Sequence, residues 1–228
     1  KGNYKYLESF AHDRRELYNL ASDPGEHNNI IDDYPELARE LAREMHALIE
    51  KDTYGKTFSA SFASDEYYLW SNDGTFTKSN GVFKANGSSS GAVELQMYLY
   101  YDAHVSMDIT PSASGRSGVM FRNSLANPSN EAFRGYAATI DAGNNKVELL
   151  NVKAKTSTVI ASADADLTPG QTYNVKVTAD SDLIKVYVDN ELALECTDES
   201  YLKGGVGLYS DLSSATYDNL SVEGFEGT

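Results

Sequence analysis

Glu94, Asp108, Arg122 and Tyr209 carry groups suited to sugar hydroxyls. Each lies in a run that alternates like a β-strand, where successive side chains point to opposite faces. In Gly118-Val119-Met120-Phe121-Arg122, Val119 and Phe121 read as core, which turns Met120 and Arg122 outward. The same alternation turns out His104, Ser106 and Asp108, then Glu94 with Gln96, and Tyr209 at the end of Gly205 to Tyr209. If these strands share one concave sheet, the four side chains line a polar groove. Carboxylates accept, a guanidinium donates through a fixed fork, and an aromatic face stacks on C–H groups. The same residues also read as solvated positions joined in cross-strand ion pairs.

Other chemistries lack their spacing. His12, His27, His46 and His104 form no metal-ligand pattern, and His46 reads as an exposed residue among helix charges. There is no Ser-His-Asp set and no phosphate-binding glycine loop. A glycosidase needs two carboxylates flanking a sugar. With 34 acidic residues some pair always lies close, and no motif singles one out. Asp164-Ala165-Asp166 lacks the Gly and distal Glu of a calcium loop. Trp70 reads as a core anchor or a stacking platform. Cys196, the sole cysteine, excludes an intrachain disulfide and alternates inward as a small core residue.

The elements that must position these groups change character near residue 55. Tyr4 to Ser9 and Glu16 to Leu20 alternate around a polar turn, which reads as a hairpin. Ser22-Asp23-Pro24-Gly25-Glu26 is a turn. Pro35 opens a helix, with Asp33 or Tyr34 as N-cap and Leu37, Leu41, Met45, Leu48 and Ile49 as its apolar stripe. From 57 to 228 short alternating runs follow one another at the spacing of a sandwich or barrel. The chain thus divides into 1–51, a linker at 52–56, and 57–228.

Charge narrows the partners. The formal net charge is −15, which repels phosphate backbones and anionic membranes. No apolar run approaches the ~20 residues of a membrane span. A chain that opens Lys1-Gly2-Asn3, with no signal-peptide pattern and no initiator Met, reads as a fragment or a processed product.

Two resemblances add to this reading. Glu16-Leu17-Tyr18-Asn19-Leu20, Asp23-Pro24-Gly25-Glu26, Asn28-Asn29 and Pro35-Glu36-Leu37 resemble the C-terminal end of a type I sulfatase, over residues 1 to about 51. The catalytic part has no counterpart here: Cys196 is followed by Thr197-Asp198-Glu199-Ser200, without the Pro/Ala and Arg of a sulfatase motif. Second, Gly118 to Arg122, Tyr173 to Val177, Ile184 to Asp189, Gly204 to Leu208 and Thr216 to Val222, in this order, resemble a concanavalin-like jelly roll of the levanase fructan-binding type.

Together the resemblances imply a mainly β protein, an antiparallel jelly-roll β-sandwich preceded by a small α+β subdomain of one hairpin and one helix. They imply a non-catalytic glycan-binding module on a bacterial sulfatase, secreted or at the cell surface, aimed at mucin, glycosaminoglycan or another polysaccharide. The partners implied are carbohydrate and a missing N-terminal sulfatase domain. Arg122 lies in the most family-like string and is the foremost sugar contact, with Arg116 or Arg134 as further sulfate contacts. A structural calcium held by Asp218 with Asp65 or Glu66 is implied as well, against the simpler reading of Asp218 as a strand-end Asp bonding local amides. The alternatives are a structural cap on the sulfatase and a jelly-roll glycosidase.

Overall fold

The computed structural model describes residues 1–9, 14–53, 57–63, 70–71, 76–94, 100–125, 133–153 and 156–224. The chain opens with strands β1 (Tyr4–Ser9) and β2 (Arg14–Asn19) and helix α1 (Pro35–Thr53). β1 and β2 pair antiparallel, with Tyr6 opposite Leu17. Leu17 packs with Ala38 and Leu41 of the helix, and Tyr4, Tyr6, Ile30, Ile31 and Leu37 close around them. The turn is fixed by Asp23, whose carboxylate accepts from the backbone N–H groups of His27 and Asn28 at 3.1 and 2.8 Å. Asn29 Oδ1 accepts from Leu17 N at 2.9 Å and ties the turn to β2. Tyr34 takes the N-cap, since its carbonyl accepts the first helical bond from Ala38 N.

The expected helix stripe is rotated. Ala38, Leu41, Ala42 and His46 are the buried positions, whereas Leu48 is 71% exposed. The side chain of Ile49 lies outside the described residues. The N-terminal half of the helix meets the apolar hairpin cluster, but further along the buried face meets Asp102 and Glu8, so His46 is buried there and Leu48, on the opposite side, is left to solvent.

The sandwich follows as β3 (Phe58–Ala60), β4 (Trp70–Ser71), β5 (Phe76–Ser79), β6 (Val82–Ala85), β7 (Ser90–Glu94), β8 (Ala103–Thr110), β9 (Arg116–Leu125), β10 (Phe133–Asp141) and β11 (Lys146–Lys153). Then come β12 (Thr156–Asp164), β13 (Tyr173–Asp180), β14 (Leu183–Val188), β15 (Glu191–Thr197), β16 (Gly205–Asp211) and β17 (Thr216–Gly224). One sheet runs β12-β11-β10-β9-β16-β7-β4. The other runs β15-β14-β13-β8-β17-β6-β5, with β3 also on β17. This is an antiparallel sandwich, as the strand spacing predicts, of the jelly-roll kind that the resemblance implies.

The core lies between the sheets and is set by alternation. β8 and β13 bury every second residue, Val105, Met107 and Ile109 facing Val175 and Val177 in one apolar cluster. Val119 and Phe121 enter it from β9, and Phe121 stacks on Tyr136 with ring centroids 5.3 Å apart. Cys196 sits half-buried against this core, as its alternation predicts. β9 and β10 approach so closely that a Cβ at Gly118 would lie 2.1 Å from the Ala138 carbonyl oxygen. Gly118→Ala is therefore expected to cost about 2 kcal/mol as backbone shifts to relieve the overlap. In a thermal melt that reads as a midpoint lower by about 6 °C; an unchanged midpoint would show the strands free to part.

Candidate functional site

The four predicted sugar contacts do not meet. β7, β9 and β16 share the seven-stranded sheet, but β8 belongs to the other. Asp108 is thus on the wrong sheet for a common groove, and its carboxylate is held by the side-chain amides of Asn174 and Asn219, each at 2.8 Å. The Glu94 backbone sits opposite Gly207, while its side chain lies outside the described residues. Tyr209 does face outward from the seven-stranded sheet, opposite Ala92 and Gly118. It is nonetheless only 5% exposed, within a second apolar cluster of Ala92, Met120, Ala137, Leu150 and Val152. Burial and the neighbouring Asp211 charge push its phenol pKa up.

Arg122 corrects the expectation most sharply. Its φ is +49°, and the register of β9 shifts beside it against both β10 and β16. A bulge of this kind breaks strict alternation, so the side chain enters the molecule instead of leaving it. The residue is 2% exposed. Nε donates to Tyr101 O at 2.9 Å, and Nη1 to Ser181 O at 2.6 Å and Tyr201 O at 3.2 Å. Nη2 donates to Asp102 Oδ1 at 3.1 Å. The guanidinium ties three loops at one end of the sandwich and has no open face for a sugar.

Asp102 carries this network onward. Its Oδ1 also accepts from Ser181 N at 2.7 Å, and its Oδ2 meets His46 Nδ1 at 2.9 Å. His46 Nε2 meets Glu8 Oε2 at 2.6 Å. Burial alone would push the Asp102 carboxyl up; the hydrogen bond and charge of His46, with the charge of Arg122 and the Ser181 amide, overcome it and hold the pKa down. His46, expected to be exposed, is 1% exposed. Around this chain Arg15 donates to Glu199 and Ser181, Arg39 to Asp182, and Arg43 to Asp180. The hairpin and helix therefore dock on the sandwich through charge, at residues far apart in sequence.

The open polar surface lies at the other end of the seven-stranded sheet, on its outer face. Arg116 stands between two carboxylates, with Nε 2.5 Å from Glu148 Oε2 and Nη1 3.1 Å from Asp211 Oδ2. Asp211 also accepts from the Ser90 hydroxyl. Lys146 pairs with Asp164 at 2.6 Å, completing a polar row across neighbouring strands. Arg116, Glu148 and Asp211 are half-buried, the Arg116 side chain at 29% exposure, whereas Asp164 is exposed. Gly118, opposite Tyr209, lets β9 pack closely on β10 beside this row. Among the described residues Arg116 Nη2 has no partner, so it keeps donors for a ligand while the carboxylates hold the fork in place. Alternation along β9 and β16 places Arg116 and Asp211 on this face from sequence; Glu148 needed the register of β11.

Two further features lie beyond this row. Asp164, Asp166, Asp189 and Glu191 line a groove of ≈ 480 Å³ where β12 meets β14 and β15, with Leu192 exposed beside them. Asp218 lies opposite Asp108 and accepts from Asn219 N at 2.7 Å, while Asp65 and Glu66 lie outside the described residues. Among the described residues no three His, Cys, Asp or Glu side chains converge on a cation position. Of the predicted calcium ligands only Asp218 lies among the described residues.

Residues 55–223 match the 3-keto-alpha-glucoside-1,2-lyase-like domain family. Over 109 residues the chain is 27% identical to the levanase of Bacillus subtilis (strain 168). That match covers 48% of this chain and 15% of the levanase, so the chain spans a small part of that protein's length. Among solved structures, the carbohydrate binding module CBM66 from Bacillus subtilis superposes with a TM-score of 0.62 at 22% identity, over 68% of this chain and 94% of that one. A prokaryotic β-1,3-1,4-glucanase (lichenase) derived from a mouse hindgut metagenome gives 0.57 at 12% identity, over 75% of this chain and 100% of that one. These similarities show a jelly-roll fold shared by binding modules and glycosidases alike.

Proposed function

This chain belongs to the 3-keto-alpha-glucoside-1,2-lyase-like domain family, and we infer that its sandwich, which is similar in fold to the carbohydrate binding module CBM66, binds glycans without cleaving them. The observation that carries the reading is Arg116 held between Glu148 and Asp211 on the outer face. A fixed guanidinium with donors to spare, flanked by acceptors, matches a pair of neighbouring sugar hydroxyls. Hydrolysis would need one carboxyl of a flanking pair as acid and the other as base or nucleophile. Here both carboxylates are engaged by one guanidinium.

Residues 1–51 take the role of the closing subdomain of a bacterial sulfatase, secreted or at the cell surface. Appended to such an enzyme, the module raises the effective concentration of substrate at the catalytic domain. The glycans in view are mucin, glycosaminoglycan or another polysaccharide. A second reading, a structural cap without sugar binding, draws on the charged docking between the helix and the sandwich.

A broad glycan array at moderate salt tests the two. Selective binding, weakened about 10- to 100-fold by Arg116→Ala, is the expected result; that is the worth of one or two charge-assisted hydrogen bonds. A blank array from folded protein would sink the binding role and leave the cap. The same array run with calcium and with a chelator tests whether a cation underlies the site.

A further inference from the structure

The joint between the hairpin, the helix and the sandwich turns on too few donors. His46 of α1 presents Nδ1 to Asp102 and Nε2 to Glu8. Both partners are carboxylates, which only accept when ionised. A neutral imidazole has one N–H and can satisfy one of them; the imidazolium has two and satisfies both. We propose that this second proton is a lock, which pins the hairpin β1–β2 to the helix and sandwich, and whose loss frees the Glu8 end of the hairpin while the sandwich stays folded.

The loss falls on Glu8 because Asp102 has other partners, Arg122 and the Ser181 amide. The Glu8 side chain is fully buried, its Oε1 has no hydrogen-bond partner, and its Oε2 meets His46. A buried carboxylate facing a ring lone pair must either take up a proton or move to water. The cations nearby are already engaged. Arg15 of β2 is held by Glu199, Ser181 and Asp182, and Arg43 of α1 by Asp180. Arg122 of β9 is held by Asp102 and three carbonyls. Tyr101 stacks on the imidazole with centroids 4.5 Å apart, and Lys203 lies over that tyrosine ring. Tyr6 of β1 feels the Glu8 charge, and burial with that charge keeps its phenol neutral. For His46 itself burial favours the neutral ring, but the bonds and charges of Asp102 and Glu8 outweigh it and hold the pKa up at about 9. The lock is closed at neutral pH and opens in mild alkali.

The test is NMR on the whole chain, following the His46 ring and the backbone amide exchange of β1 and β10 as pH rises. The expected result is a ring midpoint near 9. Above it, β1 protection falls about tenfold per pH unit beyond ordinary base catalysis, the slope for one released proton, while β10 keeps its protection. Glu8→Gln should remove that step, because its amide can donate to a neutral ring nitrogen, and should move the ring midpoint down toward 6.5. If Glu8→Gln does not fold, the wild-type titration and exchange profile still decide. A ring midpoint near 6.5, β1 protection with no break, or an unchanged step in Glu8→Gln would each overturn the lock.

Discussion

Arg122→Met should lower stability by about 3–5 kcal/mol, the range found when one partner of a buried ion pair is removed. Methionine fills much of the volume but makes none of the four hydrogen bonds to Tyr101, Ser181, Tyr201 and Asp102. Three carbonyls lose a donor and Asp102 loses one of its two cationic partners. Lysine should not rescue, because a single ammonium cannot span partners placed for a planar fork. Urea unfolding is the measurement: the midpoint should fall with an unchanged slope. A loss below about 1 kcal/mol, the level of an ordinary surface pair, would mean that the network relaxes freely. The same reasoning disqualifies Arg122→Ala as a probe of sugar contact, since weakened binding would report a damaged loop end.

Stability should also fall by about 3 kcal/mol on passing from pH 6 to pH 10, through His46 alone. The sign follows from the direction of the shift. The folded pKa, about 9, lies above the ordinary 6.5. The folded state therefore binds the proton more tightly, and the gain is complete below 6.5 and eroded as pH rises through 9. His104 works the other way: burial and the Lys176 charge hold its pKa down, so its contribution is present above the ordinary histidine range and lost in acid. Asp102, also held down, adds to the acid loss. The expected profile is a maximum at about pH 6 with a fall on each side, the alkaline fall setting in above the ordinary 6.5, read from denaturant midpoints at a series of pH values. A rising curve between pH 7 and 10 would contradict the placement of the His46 proton.

The sandwich was legible because its information is local. Val105, Met107 and Ile109 announce a buried face by period two, and the turns between strands carry Asn, Asp and Gly. The site was less legible because a groove is a property of neighbouring strands, and strand order is not written in alternation. β8 follows β7 in sequence but lies in the opposite sheet, which removed Asp108 from the predicted set. Arg122 failed for a different reason. One left-handed residue reverses the parity on which inside and outside were assigned. Arg116, six positions earlier and before the bulge, kept its parity, and the structure places it on the outer face. The Glu8–His46–Asp102–Arg122 chain had no sequence signal at all, since its members come from four separate segments.

Those two arginines also define a lever. Arg122 lies towards one end of β9, inside the clamp that joins hairpin, helix and sandwich, and Arg116 lies at the other end on the polar row. Six residues of strand separate them, about 20 Å. A rotation of about 10° at the clamp then carries Arg116 sideways by about 3.5 Å, more than the length of a hydrogen bond. Anything fixed rigidly to the helix and hairpin would have its reach over a polysaccharide set by how stiffly the Arg122 end is held, so the clamp determines aim as well as stability.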